Sequence, residues 1–207
     1  MHTEANVENN CVNIIGIIVE ECVFSHKVYG EGFYSFKVSV DRLSDNADIL
    51  PVMVSERLID KEVLKIGEKV EVLGQLRSYN NYENNRSKLV LTVFARDIHI
   101  IEDIGNKNSN QIYLNGFICK QPVYRETPLG REIADILVAV NRAYNKSDYI
   151  PCIAWGRNAK FVSKLSVGDN IKVRGRIQSR AYSKKSGEVT EERVAYEVSI
   201  SKIEFDD

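Results

Sequence analysis

An internal repeat with a period of about 100 residues constrains the fold of this chain more than any other sequence feature. Residues 14–54 align without a gap on residues 114–154 and are identical at nine of 41 positions, among them Gly16/Gly116, Gly30/Gly130, Arg42/Arg142, Asp48/Asp148 and Pro51/Pro151. After one inserted residue the matches continue with Leu64/Leu165, Gly67/Gly168, Val72/Val173, Gly74/Gly175 and Ser78/Ser179. Because Gly and Pro fix turns and strand ends, this register predicts two tandem copies of one domain.

A short polar segment lies between the two copies. Residues 106–110 contain three Asn, one Lys and one Ser, and no apolar side chain. We therefore predict a first domain over residues 10–105, a linker over 106–110 and a second domain over 111–205.

Each copy has the pattern of an all-β domain, in which short stretches rich in Val, Ile, Tyr and Phe alternate with turn residues. In the second copy the predicted strands are 113–119, 133–142, 149–155, 170–180 and 193–203. Residues 158–165 have helical spacing and stop near Gly168, and residues 55–65 are their equivalent in the first copy. Five strands with one short helix between strands three and four predict an OB-fold. The predicted fold class is therefore all-β, with two tandem OB-fold barrels.

The net charge of −1 hides a difference between the halves. Residues 1–105 carry 11 Lys or Arg against 17 Asp or Glu, a net charge of −6, and the remainder carries 17 against 12, a net charge of +5. The two domains are therefore expected to differ in electrostatic role.

One strand of the second copy has a basic face. With period two, Ile171, Val173 and Ile177 point to the barrel interior, while the opposite face carries Lys172, Arg174, Arg176, Gln178, Arg180 and Tyr182. This face has no acid, and Lys184 and Lys185 extend its charge into the next loop. A solvated strand face is the alternative interpretation, but a polyanion would relieve the like-charge repulsion.

Aromatic residues accompany the basic face. Tyr149 and Trp155 share one side of a strand whose other side, with Ile150, Cys152 and Ala154, already supplies an apolar set. Tyr144 and Tyr182 lie near strand ends. Rings beside a basic groove on an OB barrel are typical of single-strand binding, because every base has a π-face and every nucleotide a phosphate.

The second copy resembles the DNA-binding domain of the bacterial single-stranded DNA-binding protein (SSB) family. The resemblance covers residues 113–204 and depends on the segments LNG (114–116), YRETPLG (124–130), VAVNR (138–142), DYIPCIAWG (148–156) and VRGRIQSR (173–180). It implies base stacking at Tyr144, Tyr149, Trp155 and Tyr182, with a basic surface at Lys172, Arg174, Arg176, Arg180, Lys184 and Lys185. It also implies a homodimer with four barrels and a cytoplasmic, nucleoid-associated protein.

The first copy departs from this pattern. Its residues at the four ring positions are Ser44, Ile49, Ser55 and Asn81, although Tyr79 and Tyr82 flank Asn81. Its basic face is reduced to Arg77, and Leu73 points outward, which suggests burial against protein. We therefore expect a first domain that has drifted from DNA binding towards packing or assembly. The family's acidic C-terminal tip, which recruits enzymes, is expected to be absent, because Phe205, Asp206 and Asp207 directly follow the last strand.

No pattern of an enzyme, metal site or cofactor site is found. Cys11, Cys22, Cys119 and Cys152 are scattered and are predicted to be reduced, mostly buried thiols. The three His residues have no ligand or triad spacing, and no Walker-type loop is present. The first residues lack a signal pattern and no apolar run is long enough for a membrane span, which predicts a cytosolic protein.

The predicted function is sequence-independent binding of single-stranded DNA in replication, repair or recombination. One alternative is an RNA-binding or primosome-type OB protein, which the same rings would serve and which only contacts to the 2′-OH would distinguish. Another is an assembly module that binds no nucleic acid, against which the basic face argues. An enzyme is the remaining alternative.

Overall fold

The computed structural model describes residues 9–44, 46–83, 86–105, 109–186 and 189–204. Within them the chain forms eleven β-strands, one α-helix and one 3₁₀ helix. The first half contains β1 (Asn10–Ile18), β2 (Val23–Val28), β3 (Glu31–Asp41), β4 (Ala47–Ser55), the 3₁₀ helix Lys61–Val63, β5 (Lys69–Glu83) and β6 (Arg86–Ile100). The second half contains β7 (Asn110–Glu126), β8 (Glu132–Arg142), β9 (Lys146–Trp155), α1 (Gly156–Val162), β10 (Asn170–Ser186) and β11 (Val189–Glu204).

Each half closes into an OB-fold barrel, as the sequence predicts. In the first half, barrel one, antiparallel pairing runs from β1 to β3 and β4, β4 pairs parallel with β6, and β5 returns to β1. Barrel two repeats this order with β7, β8, β9, β11 and β10. β1 and β2 together take the place that the single strand β7 takes in barrel two.

Glycines matched by the repeat lie where two strands approach closely. A Cβ on Gly16 would overlap the carbonyl oxygen of Ser39, and one on Gly116 would lie 2.5 Å from the carbonyl oxygen of Ala139. Any larger residue at either position would push the first strand of a barrel away from the second. The repeated glycines are therefore required for barrel closure.

The segment between strands three and four differs between the barrels. In barrel two it is the α-helix α1, which confirms the predicted position of a helix. In barrel one the helix predicted over residues 55–65 is wrong, because only a 3₁₀ helix forms. Ser55 Oγ accepts a hydrogen bond from the Arg57 amide, and the Asp60 side chain accepts one from the Glu62 amide. These two local caps divide the segment into separate turns.

The two barrels share one continuous hydrogen-bonded sheet. β1 pairs antiparallel with β7 over five residue pairs, from Asn10–Leu114 to Ile14–Asn110. Asn10, at one end of this junction, also holds strand β5 of its own barrel, since its side-chain amide donates to the Leu76 carbonyl and accepts from the Leu76 amide. Asn110 makes the equivalent pair with Ile177. Of the predicted linker, residues 106–108 lie outside the described part of the chain.

The apolar core consists of the inward side chains of both barrels. Ile14, Val38 and Leu50 in barrel one and Leu114, Val138 and Ile150 in barrel two are completely buried. Ile14 and Leu114, Val38 and Val138, and Leu50 and Ile150 occupy equivalent positions of the repeat, so the two barrels have equivalent apolar cores. Among the described residues, no helix is long and apolar enough to cross a membrane.

Candidate nucleic-acid interface

The two faces of β10 are arranged as the period-two pattern predicts. Ile171, Val173 and Ile177 are buried, whereas the side chains of Arg174 and Arg180 are 57% and 59% exposed. Lys184 and Lys185 belong to the same strand, but their side chains lie outside the described part of the structure. Barrel two therefore presents a row of cations along one strand.

Acidic side chains from the paired strand β11 reach this row, which the sequence argument did not anticipate. Glu204 accepts a hydrogen bond of 2.6 Å from Arg174 Nε, and Glu197 lies 3.8 Å from Arg180 Nε. The hydrogen bond from Arg174 lowers the pKa of Glu204 below its usual range. The like-charge repulsion along the row is therefore already reduced by these acids, without a polyanion. The acids belong to a neighbouring strand and are invisible in the pattern of β10 alone.

Arg174 also contacts an aromatic ring. Its guanidinium carbon lies 4.9 Å from the centroid of the Tyr113 ring on β7. A cation over a ring face keeps its orientation without losing all its solvent contact. Arg174 is therefore held between Glu204 and Tyr113, while its remaining N–H groups can still reach another acceptor. Lys172, at the start of the row, is half-buried.

Arg176 lies at the junction of the barrels. Its Nη1 atom is 3.2 Å from Asp48 of barrel one, and its Nη2 atom donates to Gln178 at 3.0 Å. Asp48 is completely buried, so Arg176 is the partner of a buried carboxylate rather than a purely exposed cation. The structure thus gives this predicted DNA contact a structural role as well.

The four predicted stacking rings have outward positions. Tyr144, Tyr149 and Trp155 are 93%, 47% and 39% exposed, and Tyr182 is half-buried. Trp155, Arg176 and Arg180 line one groove of about 410 Å³, which we call groove two and which is formed by barrel two with Arg42 of barrel one at its edge. Tyr144 instead lines a larger groove between the barrels. Tyr149 and Tyr182 are not among the described residues that line either groove.

Two buried carboxylates, which the sequence analysis did not recognise as a site, join the barrels reciprocally. Asp48 accepts hydrogen bonds from Arg42 Nε at 2.9 Å and from the amide and hydroxyl of Ser179 in barrel two, at 2.7 and 3.0 Å. Asp148 accepts from the Ser78 amide of barrel one at 2.8 Å, and its other oxygen lies 3.1 Å from Arg77. Each barrel thus accepts a backbone hydrogen bond from within a strand of the other, β10 or β5.

The sequence did contain a signal for this junction. Arg42/Arg142, Asp48/Asp148 and Ser78/Ser179 are all identical across the repeat. A polar residue that is identical in two copies with otherwise different surfaces indicates a common structural role. Here that role is contact between the copies. The contact between Asp48 and Ser179 of the other barrel could be recognised only in the structure, because it depends on how the β1–β7 junction places the two barrels.

The cysteine side chains are less buried than expected. Cys152 is buried, while Cys11, Cys22 and Cys119 are half-buried, and none of the four forms a disulfide. Burial raises the pKa of the Cys152 thiol, which keeps it protonated and unreactive. Within the described ranges, no group of three or more His, Cys, Asp or Glu side chains is placed to hold a metal ion.

Comparison with known proteins gives one family. The model of the single-strand binding protein family matches residues 109–206. A single-stranded DNA-binding protein of Clostridium tetani is 32% identical over 103 residues, covering 46% of this chain and 69% of the relative. Single-stranded DNA-binding protein 1 of Staphylococcus aureus is 38% identical over 85 residues, covering 38% of this chain and 51% of the relative. The chain thus spans about half the length of that relative.

The solved structures extend the likeness to both barrels. The crystal structure of the single-stranded DNA binding protein from Thermus aquaticus superposes with a TM-score of 0.75 at 21% identity, covering 96% of this chain and 93% of that one. At this identity the comparison shows a common fold. The arrangement of two barrels in one chain is therefore shared with a known protein.

Proposed function

This chain belongs to the single-strand binding protein family, and we propose that it binds single-stranded DNA through the outer face of barrel two, without strong sequence preference. The observation that carries this proposal is groove two, in which the exposed ring of Trp155 lies beside the cations Arg176 and Arg180. A ring and a cation in one groove match the two features that every nucleotide presents, a base and a phosphate.

Base stacking supplies the first part of the mechanism. Trp155 ends β9 and Tyr149 lies six residues before it on the same side of the strand, so both rings can meet bases of one strand that crosses the sheet. Strand β9 holds them in a rigid frame, because it pairs with β8 over its whole length. Stacking on such rings tolerates any base, since it uses the π-face rather than the hydrogen-bonding edge.

Phosphate neutralisation supplies the second part. Arg174 and Arg180 are more than half exposed and are paired with Glu204 and Glu197. Each glutamate has a second partner, since Gln178 Nε2 donates to the buried Glu197 at 2.7 Å and Lys202 Nζ lies 3.6 Å from Glu204. Arg174 and Arg180 can therefore turn towards a phosphate without leaving either carboxylate unpaired. The glutamates hold the two exposed guanidinium groups in place, and the further N–H groups of each arginine can donate to an anion.

The cellular role that we propose is protection or organisation of single-stranded DNA during replication, repair or recombination. No enzymatic step belongs to it.

The homodimer with four barrels stays a prediction. Leu73 of barrel one is 37% exposed and is one apolar residue that such an interface would cover. Light scattering tests the homodimer by comparing the mass in solution with the 23.5 kDa mass of one chain. Cytoplasmic and nucleoid location also stays a prediction. The predicted absence of an acidic recruiting tip concerns residues 205–207, which lie outside the described residues.

Titration of the intrinsic fluorescence tests the proposed function, because Trp155 is the only tryptophan. We expect single-stranded DNA to quench the Trp155 emission, because a base stacks on its exposed ring, and duplex DNA of the same sequence to leave it nearly unchanged. Single-stranded RNA is the control for polymer type. Equal quenching by RNA at equal concentrations would favour the RNA-binding alternative, and emission unchanged by DNA that is bound by another measure would contradict stacking at Trp155.

The salt dependence of binding tests the basic face. On a single strand, log affinity falls with log salt at about −0.7 per neutralised phosphate, so Arg180→Ala should make the slope shallower by ~0.7. The control is Lys37→Ala, because Lys37 is also paired with a glutamate, Glu20 at 2.7 Å, but lies on barrel one outside both grooves. The measurement is fluorescence anisotropy of a labelled oligonucleotide at several salt concentrations. A slope changed equally by both substitutions would place the DNA path away from Arg180.

A further inference from the structure

A second groove lies between the barrels and has a volume of about 1170 Å³, well above that of groove two. We call it groove one. Its barrel-one wall includes Arg77, Tyr79, Phe94 and Arg96, and its barrel-two wall includes Tyr144. Groove one therefore combines barrel one with a ring that the sequence assigned to the DNA-binding face of barrel two.

Barrel one has an aromatic residue beside the position where its expected ring is missing. In barrel two, Trp155 on β9 lies directly opposite Ile133 on β8. In barrel one the equivalent pair is Ser55 on β4 opposite Phe33 on β3. Directly opposed residues of an antiparallel pair have Cβ atoms about 5 Å apart. Barrel one therefore has an aromatic ring on the same patch of the sheet as barrel two, but the ring belongs to the neighbouring strand.

Phe33 belongs to a small cluster of rings. Its centroid lies 5.8 Å from that of Phe94, and His26 stacks on it at 5.1 Å with an interplanar angle of 11°. Phe94 and His26 both line groove one, and the Arg77 guanidinium lies 5.9 Å from the Phe94 centroid. Phe94 is half-buried, with Arg77 over its ring, and Tyr79 is 50% exposed, so part of each side chain faces groove one beside an ordered cation.

The charge inside groove one is the reverse of the average charge of barrel one. The cations among its described lining residues are Arg77, Arg96, Arg142 and Lys146, and Asp148 is the one carboxylate among them. Asp148 is already paired with Arg77 and Arg142, while Arg96 and Lys146 are exposed. The 17 acidic residues of the first half thus contribute none of the described lining. This charge is complementary to a phosphate backbone.

We propose that groove one is a second contact site for single-stranded DNA, in which Phe94 and Tyr79 receive bases and Arg96 and Lys146 receive phosphates. Tyr144, at its barrel-two wall, connects it with the face of barrel two, so one strand can follow both. This inference rests on the proposed function. It replaces the expectation of a barrel one devoted to packing with a barrel that binds through different residues.

A tryptophan placed in groove one provides the direct test. In the full-length variant Trp155→Phe/Phe94→Trp the only tryptophan lies at position 94, and a long oligo-dT should quench its emission as the strand enters the groove. Anisotropy of the same labelled oligo-dT reports binding independently. Binding without any change in the emission from position 94 would overturn the proposal, whereas no binding by the wild-type protein would reject the proposed function itself.

Affinity measurements give the second test. Phe94→Ala should weaken binding of an oligo-dT of about 30 nucleotides, long enough for two OB barrels, by about tenfold, and should change binding of one of about 8 nucleotides much less. Phe24→Ala is the matched control, because Phe24 is a 58% exposed ring of barrel one outside groove one. Arg96→Ala, at an exposed residue, provides a second variant if Phe94→Ala fails to fold, and should weaken binding of the long oligonucleotide several-fold. Long-oligonucleotide affinities equal to that of Phe24→Ala would overturn the proposal.

Discussion

Replacing Asp48 with alanine is expected to lower the free energy of unfolding by about 3 kcal/mol, the lower part of the range for removing one partner of a buried ion pair. Asp48 is completely buried and accepts hydrogen bonds from Arg42, Arg176 and Ser179. The substitution leaves the Ser179 amide and two guanidinium groups without their acceptor. Because both guanidinium groups are partly exposed and can recover water, the cost should stay near the lower end. Urea unfolding of the full-length chain measures it.

Asp135→Ala is the matched control for this loss. Asp135 also pairs with an arginine, Arg125 at 2.8 Å, but is 41% exposed, so its removal should change stability by about 0–1 kcal/mol. Asp148→Ala should resemble Asp48→Ala, because Asp148 has the equivalent role on the other barrel. Equal, small effects of Asp48→Ala and Asp135→Ala would show that the buried hydrogen bonds of Asp48 between the barrels contribute little to stability.

Acid should reduce the difference in unfolding free energy between wild type and Asp48→Ala. Burial alone would raise the pKa of Asp48, but hydrogen bonds from Arg42 and Ser179 outweigh it and hold the pKa below its ordinary value. A carboxylate with a lowered pKa in the folded state contributes stability above its unfolded pKa of about 3.9 and loses it as the pH falls through the folded pKa. The two unfolding free energies should therefore approach each other as the pH falls below about 4.

The fold could be predicted because its determinants are local and repeated. Period-two alternation, glycines at close approaches and a helical segment before Gly168 define five strands and a helix in the second half. The absence of an α-helix from the first half could not be predicted, because the local hydrogen bonds at Ser55 and Asp60 that replace it leave no trace in the helical spacing of residues 55–65. The β1–β7 pairing was also beyond the sequence pattern, since a strand carries no local record of its partner.

The sequence predicted those features of the candidate site that depend on the alternation of side chains within one strand, but not the contacts between strands. The faces of β10 and the outward rings follow from alternation within one strand. Glu197 and Glu204 escaped notice because they reach β10 from β11. Phe33 was not identified, because comparing the two copies position by position finds Ser55 where barrel two has Trp155. The aromatic ring of barrel one lies instead on β3, directly opposite Ser55. The net charge of barrel one does not describe groove one, just as the net charge of the whole chain does not describe either half, because an electrostatic field depends on where the charges lie.

Removing the two rings of β9 together is expected to have the largest effect on binding. Each base–ring stack contributes about 1–3 kcal/mol, so Tyr149→Ala/Trp155→Ala should weaken binding of single-stranded DNA by about 2–6 kcal/mol if the losses add. The fold should persist, because both rings are outward and the hydrogen bond from Tyr149 to Ser78 Oγ comes from the backbone amide. Anisotropy of a labelled oligo-dT measures the loss without a tryptophan signal.

The control must remove as much exposed aromatic surface from elsewhere on the molecule. Phe24→Ala/Tyr29→Ala does so, because both rings are highly exposed on barrel one and lie outside both grooves, and its affinity should stay close to wild type. The weakened Tyr149→Ala/Trp155→Ala protein should keep some salt-dependent binding, since groove one retains Arg96, Lys146 and its own rings. Affinities close to wild type in both double variants would mean that barrel two holds the strand by charge, with the two rings of β9 uninvolved.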